Sequence, residues 1–68
     1  MQQDQLKPII QALRIRDVTA KTRMSRTQVY RLVQADKFPK PHRLSERVSV
    51  WDAAAVDSWL AEKFGGAA

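Results

Sequence analysis

The chain has 68 residues, no cysteine and one histidine, His42, which excludes a disulfide framework, a Cys-ligated zinc and a His-based metal site. A chain of this length is expected to form one compact, marginally stable domain held by packing alone, with no cofactor and no separate effector unit. Its formal charge is +5, its first residues, Met1-Gln2-Gln3-Asp4-Gln5, are polar, and no apolar run approaches the roughly 18 residues that span a bilayer, so a cytoplasmic location is expected.

The distribution of charge says more than its total. Residues 14–47 hold ten of the twelve Lys and Arg against three acids, whereas residues 48–68 hold three acids against Lys63. A basic module followed by a mildly acidic closing segment fits a polyanion facing one side of the fold.

Residues 1–12 carry few apolar anchors and a proline, Pro8, and read as a flexible N-terminal tail. The folded domain is expected over residues 13–64, with residues 65–68 as a short C-terminal tail. Leu13-Arg14-Ile15-Arg16 reads as an extended lead-in. A short helix then runs to about Thr22, with Asp17 in its first turn to offset the positive end of the helix dipole and Val18 as its inward anchor.

Ser25-Arg26-Thr27-Gln28 fits a capping box, in which Ser25 accepts from the Gln28 amide and Gln28 reaches back. Met24 and Val29 have the spacing of a hydrophobic staple around that cap. Two short helices joined by so tight a turn predict a helix-turn-helix. In the second helix Val29, Leu32 and Val33 recur at helical spacing and face inward, which leaves Arg26, Thr27, Tyr30, Arg31 and Gln34 outside. Arginine can contact guanine through two hydrogen bonds and glutamine can do the same to adenine. Threonine and tyrosine can bond phosphate or touch a thymine methyl. The Tyr30 ring is expected to lie against the first helix, with its hydroxyl outward.

Pro39 ends this helix, because Phe38 precedes a proline and is pushed to an extended conformation. Phe38-Pro39-Lys40-Pro41 then forms a stiff connector anchored by Phe38. Val48-Ser49-Val50 alternates at the strand period, which predicts a small hairpin over His42–Trp51 with its tip near Ser45-Glu46 and Arg43 and Arg47 on its two sides. Asp52 supplies the N-cap of a closing helix, Trp51 and Val56 are spaced as a second staple, and Val56, Trp59, Leu60 and Phe64 form its apolar stripe. Gly65-Gly66 is a natural C-cap. The fold class is mostly α with a small β-hairpin, a winged helix-turn-helix. Its expected function is sequence-specific binding to double-stranded DNA.

Lys21, Arg23, Lys40 and Arg43 are expected on phosphates, Arg26, Thr27, Tyr30 and Gln34 on bases, and Arg47 at a narrow minor groove. An enzyme is not expected, since acids are few and scattered and no glycine-rich phosphate loop appears. The competing reading is a basic protein-interaction adaptor. RNA fits less well, because the major groove of A-form RNA is too deep and narrow for a helix.

With that order established, the chain resembles the AlpA family of phage and prophage regulators, grouped with MerR-like winged helices and small excisionases. The resemblance is carried by Arg16-Asp17-Val18, Thr22 through Leu32, Phe38-Pro39-Lys40-Pro41, Leu44-Ser45-Glu46-Arg47, Val50-Trp51 and Val56-Asp57-Ser58-Trp59-Leu60. It implies that the helix after Ser25 enters a major groove and that the protein regulates transcription or directs excisive recombination. An integrase or RNA polymerase is then a possible partner, and a single small module implies a monomer in solution with several copies on repeated sites. Three positions where that family usually has glycine carry Arg23, Asp36 and Ser45 here, and each is expected to need a positive φ or a modified turn.

Overall fold

In a computed structural model, which describes residues 11–65, the elements in chain order are β1 (Ala12–Leu13), α1 (Ile15–Thr22), α2 (Arg26–Gln34), β2 (His42–Arg43), β3 (Ser49–Asp52) and α3 (Ala53–Lys63). Three helices pack with a three-stranded antiparallel sheet of order β1-β3-β2, a winged helix-turn-helix. The expected tails lie outside the described residues up to Ile10 and from Gly66 onward.

The chain enters the fold earlier than the apolar pattern suggests. Ala12 pairs with Asp52 and Leu13 with Trp51, and the Gln11 carbonyl accepts from the Ala53 amide at 3.0 Å. The expected two-stranded wing therefore gains a third strand, which covers the other edge of β3. Helix α1 starts at Ile15 instead of after an extended Arg16, because the Asp17 carboxylate accepts from the Arg14 amide at 2.9 Å and closes the first turn.

Both ends of the helix-turn-helix turn are set by local chemistry. Arg23 closes α1 in the left-handed region (φ 65°), its amide bonded to the Thr19 carbonyl at 2.7 Å. Ser25 Oγ accepts from the Gln28 amide at 3.1 Å, so one half of the expected capping box forms. Half-buried Met24 packs on the core beside Val29, as the staple requires.

Helix α2 ends in a Schellman motif. The Lys37 amide reaches the Leu32 carbonyl at 2.8 Å and the Asp36 amide reaches that of Val33 at 3.1 Å, with Asp36 at φ 62°. Of the three expected positive-φ sites, Arg23 and Asp36 have that geometry and Ser45 does not. The wing turns instead through Ser45–Val48, where the Ser45 carbonyl accepts from the Val48 amide at 3.4 Å, and its tip falls at Glu46-Arg47.

The core is Val18, Val29, Phe38, Trp51 and Val56, one buried side chain or more from each of α1, α2, the connector, β3 and α3. Asp52 caps α3 by accepting from the Ala54 amide at 3.1 Å. Gly65 follows α3 at φ 102°. The stripe of α3 stops short of its last expected member: Phe64 is 79% exposed.

Two indoles tie the connector down. Trp51 Nε1 donates to the Pro39 carbonyl at 2.9 Å and Trp59 Nε1 to the Lys37 carbonyl at 2.7 Å. Phe38 meets Trp59 edge to face, ring centres 4.8 Å apart. Core and connector packing thus occupy both tryptophans, and Trp51 is fully buried.

Candidate nucleic-acid interface

Successive α-helical residues turn through about 100°, so Arg26, Tyr30, Gln34, Thr27 and Arg31 fall, in that order, within an arc of about 140° on α2. Val29, Leu32 and Val33 fall outside that arc, with Val33 next to its Arg26 edge, and pack inward. All five residues of the arc are exposed. Only Tyr30 among them leans on another element.

Tyr30 links the arc to the wing. The residue is 40% exposed, and its ring lies 6.0 Å from that of Trp51, tilted by 56°. The aromatic partner of this ring is Trp51 of β3.

Arg43 pairs with Ser49 across the hairpin. Alternation along β3 puts Ser49 and Trp51 on one face of the sheet, so Arg43 shares the face on which Tyr30 rests. The Arg43 guanidinium folds along the wing and donates to the Glu46 carbonyl at 3.3 Å. Arg47 is exposed at the tip.

The expected phosphate contacts divide by their partners. Lys21 is paired with Asp57 of α3 at 2.9 Å, and Lys40 with Asp36 at 2.8 Å. The Lys40 hydrogen bond, and then its charge, holds the Asp36 carboxyl below its ordinary value, and the same two causes raise Lys40. Arg23, Arg26, Arg31, Arg43 and Arg47 enter no ion pair among the described residues. The surface therefore carries five unneutralised guanidiniums along α2, its preceding turn and the wing.

Residues 11–64 match the family model described as prophage CP4-57 regulatory protein (AlpA). The chain belongs to the AlpA family. No curated protein and no solved structure gives a significant match. The match spans every described element from β1 through α3, so the winged helix-turn-helix of this AlpA-family chain is the matched unit itself. The family is regulatory, not enzymatic.

Among the described residues no group of three or more His, Cys, Asp or Glu side chains could hold a metal ion, and no helix is long and apolar enough to cross a membrane. Two arginines outside the expected set, Arg14 and Arg16, border a cavity together with Arg26. Their signal in the sequence is the Arg-x-Arg pair immediately before Asp17. Only the fold brings that pair to the start of α2.

Proposed function

We propose that this AlpA-family protein binds duplex DNA sequence-specifically through α2 and the wing, and acts as a prophage-type transcriptional regulator or as an excisionase. The observation that carries this reading is the exposed arc Arg26–Tyr30–Gln34–Thr27–Arg31 beside an arginine-bearing hairpin. A helix of this width fits the major groove of B-form DNA. Arg26, Thr27, Tyr30 and Gln34 then reach base edges, and Arg31 lies at the border of the groove. Arg23 and Arg43 position the domain on phosphates, and Lys21 and Lys40 reach phosphate only by giving up Asp57 and Asp36. Arg47 is placed for the adjoining minor groove.

One such module reads few base pairs, so specificity is expected from several copies on repeated sites or from a partner such as an integrase or RNA polymerase. The working compartment on this reading is the cytoplasm, at the nucleoid.

The test is equilibrium binding to duplex DNA across a salt series. Neutralising about five phosphates gives a log-log slope near −4 to −5, and a footprint then locates the preferred sites. A chain that shows no salt-dependent affinity for any duplex is not a DNA-binding protein, and its basic face would serve an acidic protein partner instead.

A further inference from the structure

Arg14, Arg16 and Arg26 border one open cavity of about 550 Å3, with Ile15 and Asp17 completing its wall. Arg14 and Arg16 come from the start of α1 and Arg26 is the first residue of α2. Residues of two helices, three of them arginines and one, Asp17, a carboxylate, thus line a single space.

That carboxylate offsets only one of the three charges. Asp17 Oδ2 accepts from the Arg14 backbone amide at 2.9 Å, and none of the three arginines stands in an ion pair among the described residues. Three arginines against one aspartate leave this wall net positive, which favours an anion in the space. The Arg14 amide is already committed to Asp17, so an anion here would be held by the side chains, whose planar forks suit a phosphate oxygen pair.

We infer that this cavity is a binding site for one backbone phosphodiester of duplex DNA, lying just outside the segment that α2 reads. The inference rests on the reading of the chain as a duplex-DNA binder, and it adds a contact from α1 that the α2 arc and the wing do not supply. Arg26 ties the two together. Sitting at the start of α2, it borders both the cavity and the arc, so a phosphate held by Arg14 and Arg16 would fix how deeply the N-terminal end of α2 sits in the groove. Phosphate contacts position a protein and carry no base information. Arg14 and Arg16 are therefore positioning residues, and their loss should weaken binding to all duplexes alike.

The experiment compares the full-length parent with R14Q/R16Q on a preferred duplex and on a random one, over a salt series. Releasing one phosphate should lower the magnitude of the log-log slope by about 0.9, with both duplexes losing affinity by the same factor and the thermal midpoint unmoved, as suits two exposed side chains. A second arm needs no variant: duplexes with a methylphosphonate at single positions flanking the footprint should include one that weakens the parent but not R14Q/R16Q.

An unchanged slope in R14Q/R16Q, or a methylphosphonate scan in which no position distinguishes the two proteins, overturns the site and leaves the DNA-binding reading standing. A loss confined to the preferred duplex overturns it too, because it would assign the pair to base reading. A parent protein that binds no duplex at all removes the functional reading, and this site with it.

Discussion

Lys21 Nζ of α1 lies 2.9 Å from Asp57 Oδ1 of α3, so the helix that supports the turn is tied by charge to the closing helix. The pair also withholds from solution a cation that the sequence places on phosphate. Asp57 sits in the acidic closing segment, and Lys21 is in the last turn of α1. Charge segregation along the chain is thus partly undone by the fold.

This pair yields the first prediction. Both side chains are well exposed, and an exposed ion pair contributes about 0–1 kcal/mol, so Asp57→Asn should barely change the thermal midpoint. Freeing Lys21 should raise duplex affinity at low salt and steepen the log-log slope by about 0.9. Fluorescence anisotropy titrations at several salt concentrations measure both quantities. An unaltered slope would place Lys21 away from the DNA.

What the sequence made legible depended on the range of the signal. Caps are local, and Ser25, Asp52 and Gly65 each occupy the position their chemistry dictates. The stripe Val29, Leu32, Val33 was readable because helical spacing alone separates inward from outward on α2. Strand β1 was not readable, since two residues give no alternation, and its pairing with β3 is long-range. Phe64 keeps the spacing of the stripe but lies exposed at the end of α3. The cluster of Arg14, Arg16 and Arg26 depends on how α1 meets α2, which no single segment encodes. Tyr30 on Trp51 is of the same kind.

The second prediction concerns backbone strain. Arg23 at φ 65° and Asp36 at φ 62° hold left-handed conformations, which cost a residue with a Cβ on the order of 1 kcal/mol. Aspartate tolerates that region better than arginine does. Arg23→Gly should therefore stabilise the domain by about 1 kcal/mol, a rise of roughly 4–8 °C in Tm for a domain of this size. Asp36→Gly should gain less, because it also removes the partner of Lys40. Ser45→Gly should gain nothing or lose a little, since Ser45 carries no positive φ and glycine loosens the unfolded chain. Thermal unfolding followed by circular dichroism ranks the three variants, and a Ser45→Gly gain larger than that of Arg23→Gly would contradict the strain assignment.

The third prediction separates the two tryptophans, which the apolar pattern alone treats as equivalent core residues. Trp51 is fully buried at the centre of the core, touches Tyr30 on the outer side and holds the Pro39 carbonyl through its indole. Trp59 is only partly buried, and meets Phe38 edge to face at the rim. Truncating a buried aromatic costs about 3–5 kcal/mol, comparable to the whole stability of many small domains, so Trp51→Ala should leave the chain largely unfolded. Trp59→Ala should leave a folded, weakened domain, because its ring gives up less buried area and its lost hydrogen bond exposes the Lys37 carbonyl to water instead of orphaning it. Urea titrations followed by far-ultraviolet circular dichroism compare the two. Trp51→Phe adds a finer test: the ring volume is mostly kept, but the Pro39 carbonyl loses its donor in a half-buried setting, at a cost of about 1–3 kcal/mol. A Trp59→Ala midpoint below that of Trp51→Ala would move the centre of the core from β3 to α3, and with it the surface on which Tyr30 is supported.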